Sequence, residues 1–174
     1  SNSCIPLKSF NYIYNLLDTN YSYFNKLYNS NPYIKEFNNS ILVNKASQWC
    51  ILNRKHTELI LNNKEIINTI ITSKNIKING CPDEYSYITL LYHLKLDNEL
   101  IITNNLSANA TTFTGNISRS NYTDFKNSKK KGQPNNYSFI SQKELDFLIK
   151  SKSLFGRKFI DGCKGLENLE NMLI

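Results

Sequence analysis

The chain has 174 residues, enough for one domain with a sizeable core, and 40% of them are hydrophobic, with eleven tyrosines and nine phenylalanines. Its formal charge of +7 favours anionic partners: nucleic acid, an acidic surface or a phosphorylated small molecule. Compositional drift in a chain so rich in Asn, Ile, Lys and Tyr is the blander source of the same charge. No apolar run approaches the roughly 20 residues that a membrane-crossing helix needs. No signal-peptide pattern opens the sequence, which starts at Ser1 rather than Met, so a processed or excised piece of something longer is expected.

In chain order, Pro6 to Tyr28 reads as a helix, because Leu7, Phe10, Ile13, Tyr14, Leu17, Phe24 and Leu27 fall near a 3.6-residue period. Tyr28 to Ser40 is rich in Asn, holds Pro32 and is expected to be a loop. Ile41-Leu42-Val43 is a short strand candidate. Trp49-Cys50-Ile51-Leu52 is a stronger one, continuously apolar and expected to be buried on both faces. Arg54 to Ile71 carries a helical stripe of Leu59, Ile60, Ile66, Ile67, Ile70 and Ile71. After the Asn79-Gly80 turn, Pro82 suits the first turn of another helix that runs to about Leu96, since its missing N–H would lack a partner there. Leu100 to Thr103 is a strand. Asn104 to Asn136 is a long loop with one strand candidate, Tyr122 to Phe125. Ser141 with Glu144 forms a capping box for a helix reaching about Ser151, and Gly165 to Leu173 is a last short helix. Strands alternate with helices, so the class is α/β in a single domain, 1–174.

Four cysteines, Cys4, Cys50, Cys81 and Cys163, lack CxxC or Cys/His clustering, which argues against a zinc site. Two disulfides stay open, with Cys50 and Cys81 expected to act instead as small buried hydrophobes. His56 and His93 stand alone, and His56 is expected to be structural. Lys129-Lys130-Lys131 reads as a solvated loop. Asp83 and Glu84 sit side by side at a helix start, where the dipole favours a carboxylate by roughly 0.3–1 kcal/mol. Capping alone explains them; a base facing a cavity is the functional alternative. Arg157 and Lys158, flanked by Phe155 and Phe159, could grip a diphosphate, the Arg through its planar fork and the Lys as a point charge, or form a solvated turn. P-loop, dinucleotide-binding, zincin and hydrolase-elbow motifs are absent.

The order of these segments carries a resemblance. Ser3-Cys4-Ile5-Pro6-Leu7-Lys8, Ser47-Gln48-Trp49 with Leu52-Asn53-Arg54, Pro82-Asp83-Glu84, Tyr122-Thr123-Asp124-Phe125 and Leu154-Phe155-Gly156-Arg157-Lys158-Phe159 follow one another along nearly the whole chain. The series resembles the core-2/I-branching β-1,6-N-acetylglucosaminyltransferases, the Branch-domain glycosyltransferases. That resemblance implies a modified GT-A fold of which this chain would be the C-terminal, acceptor-side part. It implies an inverting, metal-independent transfer of GlcNAc or xylose from a UDP-sugar to a sugar or protein hydroxyl. By similarity Glu84 is the general base, and Lys158 with Arg157 binds the donor diphosphate. Trp49, Asp83 and Phe125 fall on the acceptor side; Phe125 stands where relatives often carry Trp. A second family cation would fall near Pro134-Asn135-Asn136-Tyr137, which has no Arg, so Lys130 or Lys131 is the substitute. Asn2 replaces an acidic residue common in relatives, and the nucleotide-binding half that precedes this segment in relatives is missing from the chain.

The resemblance implies no cofactor and no metal, only a UDP-sugar donor and a glycan or protein acceptor. Nucleic acid is not expected as a partner, and membrane association would come only through parts outside this chain. The AT-rich character of the composition suggests a large DNA virus as source, with the protein in host cytoplasm or virion; a cellular protein would sit at a Golgi-type membrane. The alternative is a non-catalytic structural or virion-associated derivative of the same fold.

Overall fold

The structure, a computed structural model, describes residues 4–28, 33–34, 41–73, 81–104, 121–123, 135–151 and 153–173. The chain divides into two compact units, one made of Ser1–Asp18 with Ser107–Ile174 and the other of Thr19–Leu106. The first unit opens with strand β1 (Cys4–Pro6) and helix α1 (Phe10–Leu16). The second holds β2 (Ser22–Tyr28), β3 (Tyr33–Ile34), β4 (Ile41–Leu42), β5 (Lys45–Ala46), α2 (Arg54–Asn62), α3 (Lys64–Thr72), α4 (Asp83–His93), a 3-10 turn (Asp97–Glu99) and β6 (Leu100–Asn104). The chain then returns to the first unit with β7 (Asn121–Thr123), β8 (Tyr137–Phe139), α5 (Gln142–Lys150), β9 (Phe155–Arg157), β10 (Phe159–Lys164) and α6 (Leu169–Met172). Helices and strands are mixed along the chain, in runs rather than strict alternation, and the class is α/β as the sequence implies.

The second unit is built on β2. It pairs in parallel with β6, from Ser22 opposite Leu100 to Lys26 opposite Asn104, and antiparallel with β5 on its other edge. Parallel neighbours need a long crossover, and α2, α3 and α4 lie within it. A β3–β4 hairpin pairs Tyr33 with Leu42 and Ile34 with Ile41. Helix α4 is the centre of the packing. Its Tyr85 and Leu90 join Ile41, Val43 and Ile70 in one cluster; its Ile88 and Leu91 join Phe24, Ala46 and Leu100 in another. A helix buried toward two clusters has no single apolar stripe.

Three elements differ from the sequence reading. The expected helix from Pro6 to Tyr28 is a strand, a seven-residue helix and a second strand. Helix α1 starts on Ser9, whose hydroxyl accepts the Tyr12 N–H, and ends at Leu17 in extended backbone. Ser22, Tyr23, Phe24 and Asn25 are all buried, so burial in the sheet overrides a spacing that only mimicked a helix. The expected strand at Trp49–Leu52 shrinks to one bridge, Ile51 exchanging backbone hydrogen bonds with Tyr23 at 2.8 and 3.0 Å, and these residues are half-buried rather than covered on both faces. The helix expected over Arg54–Ile71 breaks at Asn63, whose side-chain amide donates to the Leu59 carbonyl at 2.8 Å and competes with the helical ladder.

In the first unit, β9 lies between β1, antiparallel, and β7, parallel, with Ile5 and Tyr122 both opposite Gly156. Strands β8 and β10 pair in parallel. Leu7, Tyr137, Ile140, Leu145, Leu148, Phe159 and Leu169 make the core. The Ser141–Glu144 capping box starts α5 as the sequence implies, and the Lys8 ammonium donates to the Ile149 carbonyl in its last turn. The last helix is shorter than expected, because the chain first turns through Gly165 at φ +90. The Tyr122–Thr123 part of the strand expected over Tyr122–Phe125 is present, whereas Phe125 and most of the long loop lie outside the described residues.

Gly165 admits no side chain. A Cβ there would stand 2.0 Å from the Ile140 carbonyl oxygen, next to the Ile140 N–H to Lys164 carbonyl bond. Gly165→Ala should lower the stability of the protein by at least about 2 kcal/mol, read as a lower midpoint in urea denaturation.

Candidate functional site

Helix α4 begins after a left-handed residue, Cys81 at φ 52, with Pro82 at its N-cap. The Glu84 N–H donates to the Cys81 carbonyl at 3.0 Å, and the Tyr85 and Ser86 N–H groups donate to the Pro82 carbonyl. Asp83 and Glu84 therefore occupy the first turn, where two successive side chains diverge by about 100°. Asp83 is exposed. Glu84 is held against β5: its Oε2 lies 3.1 Å from Lys45 Nζ, with both side chains largely covered. Lys45 Nζ also sits 5.2 Å from the centroid of the Tyr85 ring. Burial alone would lower the Lys45 pKa, but the hydrogen bond and charge of Glu84, helped by Tyr85, outweigh it and hold Lys45 above its ordinary value.

One residue away, the backbone of Asn44 is clamped to the same helix. Its N–H donates to Thr89 Oγ1 at 2.9 Å, and the Thr89 hydroxyl donates back to the Asn44 carbonyl at 3.1 Å. Both residues are buried. The sequence marks Lys45 only by its place between the apolar Ile41–Val43 run and Ser47-Gln48-Trp49. Trp49 is half-buried in the segment after β5, and its backbone N–H donates to Ser47 Oγ at 3.3 Å.

Arg157 and Lys158 lie in the first unit. Arg157 ends β9 opposite Cys4; burial lowers its pKa, with Cys4 acting in the opposite direction. Lys158 bridges β9 and β10, and its carbonyl accepts the Tyr137 N–H at 2.8 Å. The neighbouring Phe159 is buried and stacks on Tyr137 with centroids 5.1 Å apart, so the turn that presents these cations is anchored by an aromatic pair. The candidate residues thus fall into two sets, Glu84, Asp83 and Trp49 in one unit and Arg157 and Lys158 in the other. Phe125, Lys130 and Lys131 lie outside the described residues.

The cysteines correct one expectation. Cys50 packs against the cluster that holds Phe24 and Leu91, and burial pushes its thiol up to about 11, but Cys81, in the left-handed residue before α4, is exposed rather than buried. None of the four is in a disulfide. Among the described residues no group of three or more His, Cys, Asp and Glu side chains could hold a metal ion.

Ser22, His56 and Glu99 line up like a nucleophile triad: Ser22 Oγ is 2.8 Å from His56 Nδ1, and His56 Nε2 is 3.1 Å from Glu99 Oε2. Ser22 and His56 are wholly buried, and Ser22 Oγ already accepts the Asn53 N–H at 2.9 Å. The Glu99 carboxylate can only accept, so Nε2 carries the ring hydrogen, and Nδ1 of the neutral imidazole accepts the Ser22 hydroxyl. A serine with no route to solvent is no nucleophile, so the chain of bonds is a strut that joins β2, α2 and the 3-10 turn. This is the structural role expected of His56.

The model of the core-2/I-branching enzyme family matches residues 1–149. The chain belongs to that family, whose glycosyltransferase character implies a sugar donor and an acceptor as substrates. The matched span includes Lys45, Trp49, Asp83 and Glu84 and ends before Arg157 and Lys158. Neither a curated protein nor a solved structure matches the chain.

The strut sets an acid limit. The hydrogen bond from Lys55, at 2.7 and 2.8 Å, chiefly holds the Glu99 carboxyl below its ordinary pKa of 4.5, with His56 adding to the effect. A carboxyl lowered by folding stabilises the fold above its unfolded pKa and loses that contribution as pH falls through the folded one. Glu99→Gln should therefore melt lower than the unaltered chain at about pH 7, with the gap shrinking as the pH falls below 4.5, in thermal scans across that range.

Proposed function

We propose that the protein is part of an inverting, metal-independent glycosyltransferase that moves GlcNAc or xylose from a UDP-sugar to a hydroxyl of a glycan or protein acceptor. Family membership supports the transfer class. The observation that carries the reading is Glu84, a largely covered carboxylate at the start of α4 that Lys45 grips through one oxygen. In this reading Glu84 takes the proton of the acceptor hydroxyl as its oxygen bonds to the anomeric carbon. The carbon–oxygen bond to UDP breaks on the opposite face, and UDP leaves with the electron pair. A positioned base of this kind contributes about 10²–10⁴-fold.

The departing diphosphate carries charge that needs cations, and Lys158 and Arg157 are assigned that role. The aromatic anchor at Tyr137 and Phe159 supports a fixed placement for them. Trp49, Asp83 and Phe125 are assigned to the acceptor side, and no metal takes part. A modified GT-A arrangement is the fold this reading implies.

The Lys45–Glu84 pair also favours a second reading, a non-catalytic derivative of the fold. A largely covered ion pair, in which losing either partner strands the other charge, is by itself a sufficient structural reason for a carboxylate at that place.

Two measurements separate the readings. Glu84→Gln should lower the rate of UDP-sugar transfer by at least about 10²-fold while UDP still binds. Unchanged turnover would remove Glu84 as the base. In the complete glycosyltransferase that includes this chain, UDP at about a hundred times its Kd should stabilise the fold by about 2.7 kcal/mol, and Lys158→Ala should erase most of the resulting rise in melting temperature.

A further inference from the structure

We propose that Lys45 is a positioning residue that fixes the orientation of the Glu84 carboxylate. The inference rests on the general-base reading of Glu84 and goes beyond it by naming the group that aims the base. Three observations converge on it. Lys45 Nζ and Glu84 Oε2 are 3.1 Å apart, with the two side chains only 16% and 19% exposed. The Tyr85 ring lies beside the ammonium, 5.2 Å from Nζ, and restricts where the long side chain can go. The buried Asn44–Thr89 clamp then fixes the backbone of β5 against α4 one residue from Lys45.

A surface Lys–Glu pair normally gains little, because two flexible stems must be ordered to form it. Here much of that ordering is already done. Thr89 sits on the same helix as Glu84, so one rigid element carries both the carboxylate and the clamp that delivers its partner. Lys45 holds Oε2. In this reading the other oxygen, Oε1, is the one left to meet the acceptor hydroxyl. A carboxylate that swings freely would still bind a proton, but it would meet the hydroxyl in the right attitude only part of the time. Loss of Lys45 therefore acts on kcat and leaves donor binding alone.

The test measures UDP release from UDP-GlcNAc and from UDP-xylose by the complete glycosyltransferase of which this chain is a part. Lys45→Gln should lower kcat about tenfold with donor KM changed less than about twofold. Lys45→Arg, which keeps charge and donors, should recover at least about half of the loss. In a chain already carrying Glu84→Gln, Lys45→Gln should add no further loss, because there is no base left to aim. Unchanged kcat in Lys45→Gln overturns the inference, as does a rise in KM alone or an equal further loss on top of Glu84→Gln. Full turnover by the complete enzyme carrying Glu84→Gln, or no turnover of either donor by the unaltered complete enzyme, removes the base reading and the inference with it. A drop in Glu84→Gln without a drop in Lys45→Gln removes the inference alone. Lys45→Met, which keeps the stem beside Tyr85, is read against the same thresholds should Lys45→Gln fail to fold. Loss of the fold in both variants assigns Lys45 a structural role and overturns positioning.

Discussion

The hydroxyl of Thr89 meets both backbone polar groups of Asn44 in a place that water does not reach, and the arrangement of the second unit depends on it. Strand β5 is only two residues long and would be a weak element alone. A buried N–H or carbonyl without a partner costs about 1–3 kcal/mol, so the clamp leaves β5 one position against α4. From that position follow the contact of Lys45 with Glu84, the entry of Ala46 into the core beside Ile88 and Leu91, and the edge that β5 presents to β2.

Helix α4 plays a double part. Its body is hydrophobic toward two clusters, and this fixes its rotation about its own axis. Its first turn carries two carboxylates, and the fixed rotation sends one to solvent and the other to β5. The helix dipole favours both in that turn, so no special environment is needed to keep charge there. The division of labour between Asp83 and Glu84 is a consequence of core packing some residues further along the helix.

Parts of this were legible in the sequence. The start of α4 could be read from Pro82, and the start of α5 from the Ser141–Glu144 pair, because caps are local chemistry written in adjacent residues. Strand β2 could not. Its Ser22-Tyr23-Phe24-Asn25 run has no alternation, since a central strand is buried on both faces, and its partners Leu100–Asn104 lie far along the chain. The break at Asn63 hid inside a continuous apolar stripe, because only the side-chain amide of that residue differs from a helix former. For the site, Glu84 stood out through the resemblance and not through spacing, which fitted capping equally well. Lys45 was invisible for a different reason: its importance lies in a contact made across the fold, by a clamp that a linear reading does not contain.

Helix α1 shows the opposite case. It buries none of its residues, and Phe10 and Tyr14 stack on each other in the open with centroids 6.0 Å apart. Its aromatic side chains are therefore not held in place by the need to fill a core. Replacing its outward-facing aromatics should cost the fold almost nothing, whereas a change at Thr89 would leave two buried backbone groups of Asn44 without their partner.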